Sequence, residues 1–264
     1  MKKVVLISSC DSLAELSCAG LFEKGKDFEI IGLVQTKVST EAKKKLIRKA
    51  IKSGALFYLV YMFFEQNLPS LIFKIFDIFQ KRAPRMAGFS QVKGSQKIPI
   101  LITSDVNSVD TAQFIKDLSS DLILSVRPSQ IFRRELISSC PPIMNLHCSL
   151  LPDYRGIGGI LQPLAAGETY LGCSVHLVES EEIDRGPIWA QSQVRTYPKK
   201  SVFFHTFMLN SQSSFVIKEA IHSFFSNKTC MPNEQGSLFS WPDRLVLAKL
   251  HRNDRCMINF NDIF

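Results

Sequence analysis

The feature that most constrains the fold is a series of short, continuous apolar runs separated by helix-forming segments. The apolar residues are consecutive rather than alternating, which is typical of strands buried on both faces of a parallel sheet. We therefore expect an α/β protein with a Rossmann-like, mostly parallel sheet flanked by helices. The predicted strands are Lys3–Ile7, Phe28–Val34, Ile98–Ile102, Asp121–Val126 and Ile143–Leu146, and the predicted helices run from Leu13 to near Gly25, over Ser108–Leu118 and over Ser129–Ile137.

The pattern changes after residue 150, where the loop Leu150–Gly159 precedes the remaining elements. These are a short helix over Ile160–Ala166, strands over Cys173–Val178 and Pro187–Val194, a long helix over Ser201–Phe225, and short strands over Leu245–Leu250 and Met257–Phe260. The expected organisation is one catalytic domain over residues 1–226, with an insertion at about 37–97, followed by a short C-terminal extension over 227–264.

Composition excludes several classes of protein. With 45% hydrophobic and 21% charged residues among 264, the chain is neither disordered nor collagen-like. Its seven cysteines are odd in number and form no Cys-x-x-Cys pair, which argues against a disulfide framework or a thiolate metal site. No apolar run reaches the ~20 residues of a membrane-spanning helix. We expect a cytoplasmic protein that needs no metal.

The basic charge is concentrated in one segment, residues 37–97, which we call the basic segment. It carries 13 Lys and Arg against three acidic residues, a net charge of +10, so the rest of the chain carries −2 of the total of +8. The basic stretch Lys43–Lys52 leads into Ala55–Phe64 and Leu68–Phe79, which we predict to be two short apolar helices separated by Pro69.

Three interpretations of the basic segment compete. Its helices could pack on the protein core with Lys and Arg in water, cover an anionic ligand, or lie on an anionic membrane surface. Packing, including packing against a second copy of the chain, is preferred because the apolar runs are short. Nucleic acid is not an expected partner, because basic and aromatic residues are not interleaved as in a stacking platform.

The densest group of chemically capable residues follows the predicted strand that ends at Leu146. Asn145 and His147 are two positions apart, so on an extended backbone their side chains lie on the same side. Ligands bind open α/β sheets at the carboxyl ends of the strands. An amide donor beside an imidazole is suited to polarising a carbonyl group and moving a proton, which makes this pair a candidate catalytic group.

The residues around this pair resemble a known family. The pattern is Asn145-x-His147-x-Ser149-Leu150-Leu151-Pro152-x-Tyr154-Arg155-Gly156, followed by Gly167-Glu168, Gly172-Cys173-Ser174-Val175-His176 and Asp184-Arg185-Gly186-Pro187-Ile188-Trp189-Ala190-Gln191. It resembles the signature of the 10-formyltetrahydrofolate-dependent formyltransferases. The resemblance is strong over Asp121–Gln191, weaker over Met1–Val34 and absent from the basic segment.

The resemblance implies a formyltransferase fold, a catalytic trio and a folate pocket. Asn145 would donate a hydrogen bond to the developing oxyanion, His147 would act as general base, and Asp184 would orient His147 or hold a water. The co-substrate 10-formyltetrahydrofolate would be bound, largely through main-chain groups, by Ser125, Val126, Arg127, Pro128, Ser149, Leu150, Leu151, Pro152, Ser180, Glu181, Glu182 and Ile183.

Departures from the family pattern bear on the acceptor. The first βα turn, Ser8–Ser12, has no glycine and contains Asp11, whose carboxylate would repel a phosphate, so glycinamide ribonucleotide is not favoured. The 38 residues over 227–264 are too few for the C-terminal β-barrel of the initiator-tRNA members. Candidate acceptor-binding residues are Ser9, Cys10, Asp11 and Arg155, with Arg155 either binding an anionic acceptor or bracing its loop.

The preferred function is transfer of a formyl group from 10-formyltetrahydrofolate to a primary amine of a small anionic acceptor, with a nucleotide-linked amino sugar as the candidate. The alternatives are a 10-formyltetrahydrofolate hydrolase with the same trio and a folate-binding or membrane-associated homologue without turnover. His176 is predicted to be structural. Cys148 is predicted to point away from His147 and not to act as a nucleophile.

Overall fold

The computed structural model describes residues 1–22, 27–67, 98–234 and 236–262. The strands are β1 (Lys2–Ser8), β2 (Phe28–Thr36), β3 (Ile100–Thr103), β4 (Leu122–Val126), β5 (Ile143–His147), β6 (Tyr154–Gly156), β7 (Tyr170–Leu177), β8 (Ile188–Arg195) and β9 (Ser237–Phe239). The helices are α1 (Ser12–Ser17), α2 (Thr40–Lys52), α3 (residues 56–67), α4 (Val109–Asp117), α5 (Arg134–Ser139), α6 (Leu161–Ala166), α7 (Val202–Phe225) and α8 (Arg244–Arg252), with a 3₁₀ turn at Phe260–Asp262.

The main sheet confirms the expected α/β, mostly parallel architecture. Within the described ranges it has seven strands in the order β3-β2-β1-β4-β5-β7-β8, and the first five of these are parallel. Strand β7 pairs antiparallel with β5, and β8 pairs antiparallel with β7, so both extend the sheet beyond β5. Strand β6 pairs separately with β9. The strand order reverses between β1 and β4, which is where open α/β sheets bind ligands.

The central strands are buried on both faces, as their continuous apolar runs predict. Alternate side chains of β1 enter two different cores because successive residues of a strand point to opposite faces. Val4 and Leu6 pack in the core that also holds Val216 of α7, whereas Val5 and Ile7 pack in the core that holds Ile115 of α4. Helices therefore cover both faces of the sheet.

Polar caps set the starts of several helices. The Asp11 carboxylate accepts hydrogen bonds from the N–H groups of Leu13 and Ala14 at 3.0 and 2.9 Å and so begins α1. The Ser201 hydroxyl accepts from the N–H of Phe204 at 3.2 Å and begins α7, which confirms the predicted long helix. Ser108 caps α4 in the same way.

The predicted helix over 129–137 is wrong at its start, because α5 begins only at Arg134. Residues 129–133 are held instead by hydrogen bonds to the loop after β3. The N–H of Val106 donates to the Gln130 side chain at 2.7 Å, and the N–H of Arg133 donates to the Asn107 side chain at 2.7 Å. Residues 129–132 of this stretch form part of a cavity wall.

The C-terminal predictions are also wrong in part. Residues 245–250, predicted as a strand, lie in α8, which begins at the Asp243 cap and buries Leu250. A short apolar run fits either structure, and tertiary packing decides between them. No strand forms over 257–260 within the described chain, and the predicted 150–159 loop contains β6. The predicted helix over 68–79 lies outside the described residues. The helix predicted from Leu13 to near Gly25 is wrong in its length, because α1 ends at Ser17 and turns follow its cap at Cys18.

None of the helices in the described ranges combines the length and the apolar character that crossing a bilayer requires.

Candidate active site

A cavity of about 690 Å³ opens at the carboxyl ends of β4 and β5. One wall is formed by residues 127–132, which follow β4, and by residues 180–184 of the loop between β7 and β8. The opposite wall is formed by α3, the first half of α7 and residues 238–241. The predicted catalytic residues Asn145, His147 and Asp184 all line this cavity.

The amide of Asn145 is oriented by a buried hydroxyl group. The Ser125 hydroxyl on β4 donates to Asn145 Oδ1 at 2.9 Å, because the two residues are direct neighbours in the β4–β5 pairing. Asn145 Nδ2 lies 3.3 Å from His176 Nε2. Since the amide oxygen is taken by a donor, the nitrogen is the end of Asn145 that can donate to a ligand in the cavity.

Both ring nitrogens of His147 face hydrogen-bond acceptors. Nε2 lies 2.8 Å from the carbonyl oxygen of Tyr154, and Nδ1 lies 3.4 Å from Asp184 Oδ2. A neutral imidazole carries a single N–H and can satisfy only one of these acceptors, whereas the imidazolium can donate to both. Both ring nitrogens of His147 are therefore held in place by the site.

Asp184 lies between two histidines. Its Oδ2 faces His147 and accepts a hydrogen bond from the N–H of Gly156 at 2.9 Å, while its Oδ1 lies 3.4 Å from His176 Nε2. Burial alone would raise the pKa of Asp184, but the two histidines and the Gly156 N–H outweigh it and hold the pKa well below its usual range. The carboxylate is therefore ionised throughout the neutral pH range.

The loop that carries Asp184 is tied down by its backbone. Asp184 has a positive φ of 51°, and the Asn233 side chain donates to the carbonyl groups of Asp184 and Gly186, each at 2.9 Å. A Cβ atom at Gly186 would overlap the carbonyl of Leu177, and one at Gly156 would overlap the carbonyl of Phe239. Both glycines thus allow the close approach of backbone that positions the carboxylate.

The prediction that His176 is only structural is wrong. Its Nδ1 lies 2.8 Å from the carbonyl of Leu177, and its Nε2 contacts Asp184 and Asn145 within the site. The antiparallel register of β5 and β7 pairs Asn145 with His176, and a sequence pattern of apolar runs does not give that register. The signal in the sequence was its place in the family pattern, Gly172 to His176.

The predicted folate-binding residues fall into two groups. Arg127, Pro128, Ser180, Glu181, Glu182 and Ile183 line the cavity. The remaining predicted residues do not line the cavity. Two of them, Ser125 and Val126, are fully buried on β4. The others form the turn Ser149, Leu150, Leu151 and Pro152, in which the Ser149 hydroxyl donates to the carbonyl of Tyr154. Sequence reasoning missed Ser129, whose buried hydroxyl lines the cavity without a hydrogen-bond partner among the described residues.

The predicted acceptor-binding residues do not form the cavity wall. Ser9 and Asp11 are joined by a 2.9 Å hydrogen bond, and Asp11 pairs with Arg127 Nε at 3.1 Å, so this turn meets the cavity only through Arg127. Cys10 lies in the same turn. The proposed anion-binding role of Arg155 is wrong, because its buried guanidinium donates to the carbonyl of Gly236 at 3.0 Å and braces the loop.

Helix α3 brings the basic segment into the site. Tyr58, Tyr61 and Glu65 lie on its buried face and line the cavity, and the ring of Tyr58 packs edge-on against Trp241 at 5.9 Å. Glu65 Oε1 lies 3.2 Å from Arg127 Nη2. Burial raises the pKa of Glu65, and Arg127 opposes this only in part. The segment that carries the basic charge thus presents an acid to the cavity, which its composition did not indicate.

Cys148 also lines the cavity. Its Sγ lies 3.7 Å from Asn210 Oδ1, and a hydrogen bond from Cys173 lowers the pKa of its thiol. Its described contacts are therefore with α7 and β7 rather than with the His147 ring.

The chain is similar in sequence to known formyltransferases. Residues 82–206 match the family model described as "Formyl transferase". Methionyl-tRNA formyltransferase of Kosmotoga olearia is 31% identical over 106 residues, which are 39% of this chain and 33% of that protein. The chain's match spans about a third of the length of such curated relatives.

Solved structures show the same fold. A sugar N-formyltransferase from Shewanella aligns with a TM-score of 0.55 and 15% identity, covering 95% of this chain and 88% of the other. HypX from Aquifex aeolicus, in complex with tetrahydrofolic acid, aligns with a TM-score of 0.54 and 11% identity, covering 95% and 33%. These likenesses show the formyltransferase fold.

Over residues 82–206 the chain is similar to the formyl transferase family, and its acceptor subgroup is not identified. The family match begins at residue 82, inside the basic segment, so the expectation that the resemblance is absent from the whole segment is wrong.

Proposed function

We propose that this chain transfers a formyl group from 10-formyltetrahydrofolate to a primary amine of a small-molecule acceptor. The observation that carries the proposal is the meeting of Asn145, His147, His176 and Asp184 at one cavity. An amide donor, a titratable imidazole and an ionised carboxylate then act on one bound carbonyl group. These are the groups that formyl transfer to nitrogen requires.

The proposed chemistry follows from the hydrogen bonds of the site. The amine nitrogen forms a bond to the formyl carbon, and the carbonyl electron pair moves to oxygen, which accepts a hydrogen bond from Asn145 Nδ2. His147 accepts the proton that the amine releases at Nδ1, directly or through a water, where Asp184 Oδ2 stabilises the new N–H. Collapse of the adduct breaks the bond to the folate nitrogen, which as it leaves takes the proton held by His147, directly or through a water.

His176 supports these steps without taking a proton itself. With its Nδ1–H directed to the Leu177 carbonyl, its Nε2 either accepts from Asn145 Nδ2, which fixes the amide plane, or in the imidazolium form donates to Asp184 Oδ1. Asp184 stays charged because two histidines and a backbone N–H surround it. The motif is therefore arranged to hold a positive charge on His147 after proton transfer.

The co-substrate would occupy the wall built from residues 127–132 and 180–183. Main-chain groups there would hydrogen-bond the pterin, and Ser129 offers a buried hydroxyl that has no partner in the described chain. An unsatisfied buried hydroxyl is unfavourable unless a ligand or water completes it. This supports a polar, heterocyclic ligand at this wall.

The acceptor would approach from the opposite wall. Tyr58 and Trp241 offer aromatic surface for a sugar ring or a base, and Lys49 lines the same cavity. Because Arg127 already pairs with Asp11 and Glu65, an anionic group of the acceptor would be directed to Lys49. An amino sugar linked to a nucleotide remains the candidate acceptor.

A screen of primary amines with 10-formyltetrahydrofolate tests the proposal by measuring free tetrahydrofolate and the formylated amine. We expect release that depends on a particular amine and that continues in the presence of a chelator. Folate should also raise the melting temperature, since a ligand that binds only the native state stabilises it. Release without any amine would instead make the chain a hydrolase. Folate binding without release would make it a homologue without turnover.

A further inference from the structure

Helix α3 has an unusual distribution of apolar residues. Its buried face, with Tyr58, Tyr61 and Glu65, forms a wall of the cavity. Its outer face carries Leu56, Val60, Phe63 and Phe64, which are exposed by 49%, 49%, 66% and 46%. These positions follow the i, i+4, i+7, i+8 spacing of one helical stripe. A stripe of large apolar side chains therefore faces water along the described length of α3.

This stripe borders an open groove between α3 and α8. Leu56, Val60 and Phe64 line the groove together with Arg244 and His251 of α8. Leu245 stands beside it with 70% of its surface exposed. The apolar surface is thus continuous across two helices, and α8 supplies basic residues along it. Exposed apolar surface that spans more than one element marks an interaction site.

Helix α2 extends the same surface with positive charge. It buries Ala50 alone among its residues, while Ile47 and Ile51 are exposed one turn apart. Six of its 13 residues are basic, at positions Lys43, Lys44, Lys45, Arg48, Lys49 and Lys52, against the single acid Glu41. The turn to α3 is closed by the N–H of Ala55 bonded to the carbonyl of Ala50 at 2.8 Å, so the basic helix leads directly into the helix that carries the stripe.

We infer that α2 and the outer face of α3 dock on the surface of an anionic lipid bilayer. Basic side chains around exposed phenylalanines are the combination that binds interfaces, because Lys and Arg meet anionic headgroups while aromatic rings enter the acyl boundary. A two-fold contact with a second copy would bring two such basic helices together, which repels. Docking would place the α3 wall of the cavity next to the membrane surface. The inference does not depend on the proposed formyl transfer.

Sedimentation with vesicles tests the inference on the full chain. One set of vesicles contains phosphatidylglycerol and phosphatidylcholine in equal amounts, and the other contains phosphatidylcholine alone. We expect pelleting with the anionic vesicles that is lost at high salt, and little with the neutral ones. The double variant Phe63→Ser/Phe64→Ser should weaken binding at least tenfold. Lys44→Gln/Arg48→Gln should weaken it about thirtyfold, from two charges at the surface worth about 1 kcal/mol each.

The matched control is Phe215→Ser, which removes an equally exposed phenylalanine from α7, outside the groove, and should bind vesicles like the unmodified chain. Phe63 and Phe64 do not line the cavity and are exposed, so the melting temperature of their variant should be unchanged and reports that it is folded. Equal binding to neutral vesicles, or none to anionic ones, would overturn the inference. So would vesicle binding that survives Phe63→Ser/Phe64→Ser, or a dimer in light scattering that this variant dissociates.

Discussion

Two buried carboxylates line the same cavity from different regions, and their pKa values move in opposite directions. Asp184 belongs to residues 145–191, which carry the family pattern and which we call the motif region. There, two histidines and the Gly156 N–H lower its pKa in spite of burial. Glu65 belongs to the basic segment, where burial raises its pKa and Arg127 compensates only in part. The difference shows that one region supplies a complete set of partners for its charge and the other does not.

The contrast between Asp184 and Glu65 follows from how the motif region and the basic segment are attached to the main sheet. Asn145 and His176 sit on paired strands of the main sheet, and their positions are set by backbone register. Glu65 sits on α3, which the described chain joins to the sheet through Arg127 and to α7 through a 3.2 Å contact of Tyr61 with Thr206. The positions of Asn145 and His176 are thus set by the main sheet, whereas α3 is attached to its neighbours by side-chain contacts.

The largest expected effect lies in the motif region. His147→Ala and Asn145→Ala should each lower kcat by roughly 10²-fold or more, since one removes the proton acceptor and the other a donor to the oxyanion. Steady-state kinetics with a working acceptor measures this, with melting temperature as the check on folding. His222→Ala is the control, because His222 is exposed and pairs with Asp27 away from the cavity. Near-normal turnover in either variant would refute the catalytic assignment.

The next largest expected effect is a loss of stability, and it concerns Arg127, the residue that joins the sheet to α3 of the basic segment. Arg127→Met leaves Asp11 and Glu65 as neighbouring carboxylates without the guanidinium that now pairs with both. Removing one partner of a buried ion pair strands the other charge, so we expect a loss of about 2 to 3 kcal/mol in the free energy of unfolding. Urea denaturation measures it, with exposed Lys228→Met as the control. A loss no larger than that of the control would mean that the network does not anchor α3.

The sequence predicted the motif region far better than the inserted one. Continuous apolar runs are enough to predict a parallel sheet, and the resemblance of residues 145–191 to a known family was enough to select Asn145, His147 and Asp184, which line one cavity. The role of His176 depended on an antiparallel register, and that of Arg155 on its contact with Gly236, neither of which is local in sequence. The place of Glu65 in the cavity wall was not predicted, because the net charge of its segment is strongly positive.

A smaller effect on catalysis is expected from Ser125, which acts through Asn145. Ser125→Ala removes the hydroxyl that orients the amide, and we expect kcat to fall about tenfold, or ~1.4 kcal/mol, with little change in KM. The control is Ser8→Ala, a buried serine at the end of neighbouring β1 that does not contact Asn145. A purely structural role for Ser125 would lower stability in both variants and leave kcat unchanged in both.

The smallest effect compares the two carboxylates directly. A raised pKa means that Glu65 stabilises the fold when protonated, below its ordinary value of 4.5, and that this contribution is lost as the pH rises through the folded pKa. Glu65→Gln should therefore be neutral or more stable by about 1 kcal/mol at pH 8, and the difference should vanish near pH 4.

Asp184→Asn should behave in the opposite way. The stability that its lowered pKa contributes is present above the ordinary value of 3.8 and is lost only as the pH falls below it. Urea denaturation of both variants at pH 8 and pH 4 measures the contrast, with exposed Glu135→Gln as the control. A loss of stability at pH 8 in Glu65→Gln as large as that in Asp184→Asn would show that Arg127 holds Glu65 as firmly as the histidines hold Asp184, and that the inserted helix is as completely partnered as the motif.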